Sequence, residues 1–129
     1  MGRQGWFAPV DVSLPAGTRV LVIEDQPLVA IAARDMIESI GGTVSGTAAT
    51  IEAALADCSA AAFDVALLDV DLGGVASTPV AAALSHAGKP FLVVTGHDWL
   101  PPEFGARSHL SKPYTLRALH GGLAALLAA

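Results

Sequence analysis

Four segments of this chain stop at side chains that can do chemistry. Thr18–Glu24 ends on Glu24 with Asp25 next, and Phe63–Asp69 ends on Asp69 with Asp71 two residues beyond. Phe91–Thr95 ends on a hydroxyl, and Arg107–Ser111 runs into Lys112. Acids, a hydroxyl and an ammonium at separate segment ends suit phosphoryl transfer to a carboxylate. Two like charges about 4 Å apart repel by about 4 kcal/mol at an effective dielectric of roughly 20, so clustered acids call for a cation. An all-oxygen site suits Mg²⁺ that keeps some of its water, and the ion would neutralise an incoming phosphoryl group. Lys112 offers a point charge to one phosphoryl oxygen and Thr95 a hydroxyl to another. A remaining carboxylate is left as nucleophile. The sequence has no Ser-His-Asp grouping, Gly-rich Walker loop or paired His at metal spacing.

For these groups to meet, the intervening chain must bring the four ends to one edge. "TRVLVIE" at Thr18–Glu24 reads as a strand buried on both faces. Pro27 fits the first turn of a helix, Val29, Ala33, Met36, Ile37 and Ile40 recur at helical spacing, and Gly41-Gly42 stops it. Thr43–Ala49 is a weak strand, and Ile51–Ala61 a helix with Ile51 and Leu55 inward. Phe63–Asp69 and Phe91–Thr95 are further buried strands, separated by a helix Ser77–Ala87 that opens Ser77-Thr78-Pro79. Pro101-Pro102 leaves little room for a regular helix in Gly96–Gly105. Arg107–Ser111 forms a last strand, and Thr115–Leu127 a helix with Leu116, Leu119, Leu123 and Leu126 on one face. Alternating apolar strands and helices predict a parallel sheet covered on both sides, with ligands at the carboxyl ends of its strands.

The chain of 129 residues is the size of one domain, and 53% apolar against 15% charged residues makes disorder improbable. Residues 1–17, with two prolines and three glycines, read as a flexible or loosely docked lead-in to a domain over 18–129. A net charge of -5 argues against general nucleic-acid binding. The single cysteine, Cys58, excludes an internal disulfide and reads as a small buried side chain in a reducing compartment. The N-terminus lacks a signal-peptide core, position 6 is Trp6 where myristoylation wants Ser or Thr, and no apolar run reaches membrane-span length. A soluble cytoplasmic protein is expected.

The pieces "VLVIEDQPL", "ALLDVDL", "VVTG" and "LSKPY", in that order and spacing, resemble the receiver domains of two-component response regulators. The resemblance runs from Thr18 to Leu127, and Asp25 and Asp69 stand close to the family's usual separation. It implies a flavodoxin-like (βα)5 fold, a five-stranded parallel sheet in order 2-1-3-4-5. It further implies that Asp69 accepts a phosphoryl group from a histidine kinase or phosphotransfer protein. Glu24 and Asp25 would hold Mg²⁺ together with Asp69 and the backbone carbonyl of Asp71. Thr95 and Lys112 would contact the phosphoryl oxygens, and the Lys112–Pro113 bond would be cis. With no output domain in the sequence, the implied signal passes by phosphorylation-dependent docking to a downstream protein, or the chain is a phosphate sink. A monomer or weak dimer is expected, acting on neither nucleic acid nor membrane.

The match has departures. Thr95 to Lys112 is shorter than is common in the family, so the fourth helix is expected to be short or irregular. "KPFLVVTGH" is similar to a single-domain subgroup named FATGUY at Pro90, Phe91, Thr95 and Gly96, but not at Val93, Val94 and His97. The family's aromatic switch position is His109 here; His109 is either a switch partner of Thr95 or an ordinary half-exposed strand histidine. His97 is read as tuning water access or as a solvated loop residue, and His86 and His120 receive no role. Trp6 and Trp99 are expected to pack on their own domain. Gly121-Gly122 within the last helix implies a kink or close approach by a partner. Two other functions stay open. "ALLDVDLGG" also resembles the DxD nucleophile motif of haloacid-dehalogenase-type phosphatases, although no acid follows Lys112 and Gly73 stands where Thr or Val is expected. A degenerate receiver acting only as a binding scaffold is the other.

Overall fold

A computed structural model describes residues 13–60, 62–96, 100–104 and 109–128. Strands β1 (Arg19–Ile23), β2 (Thr43–Ala48), β3 (Val65–Asp69), β4 (Phe91–Thr95) and β5 (His109–Ser111) form one sheet in the order β2-β1-β3-β4-β5. Every pairing in it is parallel, with Val20 opposite Val65, Ala66 opposite Phe91 and Thr95 opposite Ser111. Helices α1 (Pro27–Ser39), α2 (Ile51–Ala60), α3 (Thr78–His86) and α4 (Leu116–Ala128) cover it. Between β4 and β5 the described residues form a single 3-10 turn, Pro102–Phe104, as the two prolines imply. Its Phe104 is buried.

The period of two along each central strand sorts its side chains between two cores. Leu21, Ile23, Ala66, Leu68, Phe91 and Val93 face α2 and α3, while Val20, Val22, Val65, Leu67, Leu92 and Val94 face α1 and α4. Both faces are therefore apolar, which is why β3 and β4 read as unbroken hydrophobic runs. Phe63 is buried but lies before β3, whose ladder begins at Val65. Similarly, β5 begins at His109; Arg107 lies outside the described residues.

Helix α1 ends as its glycines require. Gly41, at φ +88°, donates to the Glu38 carbonyl at 3.1 Å, and Gly42 donates to Ile37 at 2.9 Å. That left-handed residue satisfies the terminal carbonyls and turns the chain into β2. In α2 the inward positions differ from expectation. Ala54 and Cys58 are buried, whereas Ile51 and Leu55 are only partly buried at the edge of the core. Small residues face the sheet because the helix packs close to it, and the larger side chains fill its flank. On α4, Leu119 and Leu123 are fully buried, with Leu116 and Leu126 partly so.

Gly122 is explained by its own sheet. A Cβ there would stand 2.7 Å from Leu92 Cδ2, so the missing side chain lets α4 approach β4. Gly121 faces open space. The packed unit also takes in part of the lead-in: Leu14 is buried against α1 and α4, and its N–H donates to the Ile40 carbonyl at 2.8 Å.

Candidate functional site

The carboxyl ends of β1, β3, β4 and β5 share one edge because every strand of the sheet runs the same way. Glu24 follows β1, and its N–H is held by the Ala48 carbonyl at 2.9 Å, so the strand's hydrogen bonding continues to the acid. Asp69 closes β3 and Thr95 closes β4; both are buried, at 6% and 0% exposure. The Lys112 N–H donates to the Thr95 carbonyl at 2.8 Å, extending the β4–β5 ladder to the lysine. The Lys112–Pro113 peptide is cis.

The Lys112 ammonium bridges two of the acids, donating to Asp69 Oδ2 at 2.7 Å and to Glu24 Oε1 at 2.9 Å. The other oxygens are held by backbone donors. Asp69 Oδ1 accepts the Asp71 N–H at 3.1 Å, Glu24 Oε2 accepts the Gln26 N–H at 3.2 Å, and Asp25 Oδ2 accepts the Gly73 N–H at 3.0 Å. Burial pushes the Glu24 carboxyl above its ordinary range; Lys112 and the Gln26 N–H pull the other way, and nearby Asp69 adds to the rise. Burial by itself would lower the Lys112 ammonium, but its bonds and charge attraction to Asp69 and Glu24 hold it above the usual lysine value.

Glu24, Asp25 and Asp69 each present a carboxylate oxygen within 4.8 Å of the others. One ammonium does not balance three acids, and hard oxygen donors at this spacing fit a small divalent cation such as Mg²⁺. A carboxylate has about four lone-pair sites, so the existing bonds leave room for a metal. A cleft of about 190 Å³ opens over the group, lined by Asp25, Gln26, Asp69, Asp71, Gly96 and Lys112. Thr95, which precedes Gly96 in the chain, is not itself part of the lining. His109 is exposed on β5, in register with Val93. His97, Trp99 and Trp6 lie outside the described residues.

Asp71 is part of structure absent from the sequence reading. Asp71–Leu72 pairs antiparallel with Val75–Ala76 across Gly73 and Gly74, both at positive φ (63° and 85°). Two left-handed residues in a two-residue turn match the twist of the flanking strands. This ribbon carries the Gly73 N–H to Asp25, and only the Gly-Gly pair itself signalled it in the sequence. Ser77 was also missed. Read as the residue that opens α3, it makes no side-chain cap bond; it is fully buried, and its hydroxyl donates to the Asp69 carbonyl. Its N–H donates to the Val70 carbonyl at 2.7 Å. Ser77 thus clamps the backbone on which Asp69 sits.

A parallel sheet in this order, with three acids and a lysine at its carboxyl edge, is the architecture of a signal receiver. A family model for the response regulator receiver domain matches residues 20–124. The chain belongs to that family. It is 34% identical over 119 residues to the transcriptional regulatory protein TcrA of Mycobacterium tuberculosis, an overlap covering 86% of this chain and 46% of TcrA. The chain spans about half the length of the curated relatives it matches. The solution structure of SdrG from Sphingomonas melonis Fr1 is similar at a TM-score of 0.78 and 41% identity, covering 88% of this chain and 99% of that one. A BeF3-activated conformation of SdrG from Pseudomonas melonis Fr1 is similar at a TM-score of 0.75 and 38% identity, with the same coverage.

Proposed function

We propose that this receiver accepts a phosphoryl group on Asp69 from a histidine kinase or histidine phosphotransfer protein. The supporting observation is the Lys112 ammonium, 2.7 Å from Asp69 Oδ2 in a cleft where three carboxylates meet. An Asp69 oxygen bonds to phosphorus as the donor's P–N bond breaks, and the electron pair leaves with the imidazole nitrogen. The Asp71 N–H and the Ser77 hydroxyl hold Asp69 in place for this attack. Lys112 then transfers its contact to a phosphoryl oxygen, and the Thr95 hydroxyl reaches another. Glu24, Asp25 and Asp69, with the Asp71 backbone carbonyl, would hold Mg²⁺, which supplies charge neutralisation for the transferred group.

Movement of Thr95 toward the phosphoryl group is the signal, with His109 as its switch partner on β5. The altered face is read by a downstream protein, or the chain drains phosphate from its donor. Apart from forming and losing its own acyl phosphate, the domain performs no catalysis. It works in the cytoplasm as a monomer or weak dimer, and its net charge of -5 disfavours nucleic acid as a partner. Among the described residues no helix is long and apolar enough to cross a membrane. Pro90, Phe91, Thr95 and Gly96 support placement in the FATGUY subgroup. The BeF3-activated form of SdrG makes beryllofluoride a suitable probe of the same change here.

Incubation with a small acyl-phosphate donor and Mg²⁺ tests the reading by intact mass. One phosphoryl group should add, and the gain should vanish in Asp69→Asn or with EDTA. Asp71→Ala should still be labelled; its failure would favour the phosphatase reading, in which both aspartates act. An unlabelled wild type would leave a binding scaffold.

A further inference from the structure

Of the three acids in the cleft, Asp25 is the one that no strand holds. Glu24 continues the ladder of β1 and Asp69 closes β3, whereas Asp25 lies past the last bonded position of β1. Its carboxylate is gripped instead from across the cleft, by the ribbon that follows β3.

That ribbon is fixed at both ends. The Leu72 side chain is buried in the core, and Ser77 bonds back to the Asp69 and Val70 carbonyls. In an antiparallel pair, inward-bonded and outward-facing backbone groups alternate along each strand. Leu72 faces Val75 across the turn. The N–H groups on either side of Leu72 therefore turn outward, that of Asp71 to Asp69 Oδ1 at 3.1 Å and that of Gly73 to Asp25 Oδ2 at 3.0 Å. One ribbon edge thus holds two of the three acids. The turn runs through two left-handed residues, Gly73 and Gly74, yet a Cβ at either would meet nothing within 4 Å. Glycine is needed there for its backbone and not for space, and what that backbone secures is the direction of the Gly73 N–H.

We propose that Gly73 is a positioning residue for the cation site. Its N–H aims the Asp25 carboxylate at Glu24 and Asp69, and the Gly73-Gly74 turn thereby sets how tightly the cleft takes up Mg²⁺. The inference rests on the reading of these three acids as Mg²⁺ ligands. An N–H bonded to an ionised carboxylate is stronger than a neutral pair. Unlike Lys112, an amide carries no net charge, so it orders Asp25 without offsetting the negative charge that attracts a divalent ion. Groups that hydrogen-bond a metal-ligating side chain account for about 10–100-fold in metal affinity.

Calorimetric titration of the full chain with MgCl2, with no phosphodonor present, tests the proposal. Gly73→Val resists a φ of +63° and should bind Mg²⁺ about tenfold more weakly than the wild type. Gly73→Asn tolerates left-handed backbone and should bind nearly as the wild type does. Gly88→Val is the control. Gly88 stands at φ +70° in open space, beyond the end of α3 and away from the cleft. The same strain there should lower the melting temperature and leave Mg²⁺ affinity unchanged. If Gly73→Val does not fold, Gly73→Ala places a smaller side chain under the same strain and should show the same order of affinities. The proposal is overturned if the strained Gly73 variant binds as tightly as the wild type, if Gly73→Asn binds as weakly as that variant, or if Gly88→Val weakens binding equally. A wild type that takes up no Mg²⁺ overturns the metal reading itself and the proposal with it, whereas the other three results leave that reading standing.

Discussion

Replacing Lys112 by Met keeps the aliphatic stem and removes the charge that Glu24 and Asp69 share. Losing one partner of a buried ion pair costs about 3–5 kcal/mol, because the charge left behind remains desolvated. Here the side chains left behind are the buried ones, at 6% and 8% exposure, whereas Lys112 itself is 23% exposed. Glu24 can also escape by taking a proton, so the expected loss at pH 7 is about 2–3 kcal/mol. The pH dependence follows from the same site. Burial first, and Asp69 next, already raise the Glu24 carboxyl, and removing Lys112 raises it further. A carboxyl raised on folding contributes stability that is complete below its unfolded value, about 4.3, and is lost as pH rises through its folded value. The variant's deficit should therefore be largest at neutral pH and shrink as pH falls through the raised value. If the three acids bind Mg²⁺, the ion should restore part of the loss, by about 1.4 kcal/mol for each tenfold excess over its dissociation constant. Urea unfolding followed by circular dichroism at pH 7 and pH 5, in EDTA or Mg²⁺, measures all three effects. A loss below about 0.5 kcal/mol at pH 7, or one that grows on acidification, would refute the account of the site given above.

The two glycines of α4 should part company. Gly121→Ala adds helix propensity in open space and should stabilise by about 1 kcal/mol, whereas Gly122→Ala drives a Cβ into buried Leu92 and should lose about 1–2 kcal/mol to overpacking, visible in paired denaturation curves. Asp64 accepts the Arg19 N–H at 2.7 Å and pairs with its guanidinium at 3.1 Å, tying the starts of β1 and β3 together. Its carboxyl is held below the usual range, chiefly by the Arg19 side-chain bond, so its contribution is complete above about pH 4 and fades as pH falls through the folded value. Asp64→Asn should accordingly lower the melting temperature at pH 7 and change it little near pH 3. Gly73→Val should cost about 1–2 kcal/mol at a left-handed φ, and Gly73→Asn much less, which thermal melts of the two variants would separate.

Legibility followed the physics of each element. Strands β3 and β4 and their chemical ends could be read directly, because a strand buried on both faces shows as an unbroken apolar run, and each run stops at a polar residue, Asp69 or Thr95. Helix α1 was bounded by Pro27 and Gly41, residues whose backbone limits act locally. Inward faces were harder. In α2, Ala and Cys face the sheet while Ile51 and Leu55 lie at the margin, a choice set by how closely the helix packs rather than by hydrophobicity. Ser77 read as a helix start because its neighbours are Thr and Pro; its bond to the Asp69 carbonyl depends on where β3 ends in space.

The order of apolar runs, turn residues and strand-end side chains was enough to specify a parallel α/β sheet with Glu24, Asp25, Asp69, Thr95 and Lys112 near one edge, since strand polarity carries every carboxyl end to the same side. What distinguishes Asp69 from Asp71 is tertiary. Asp69 is buried and reaches Lys112, while Asp71 enters a ribbon turned by two glycines and supplies an N–H. Gly122 against Leu92, Leu14 beneath α1 and Gly73 on Asp25 are likewise contacts between distant segments. Local sequence preferences set which elements form; only their packing decides which atoms come within hydrogen-bonding distance.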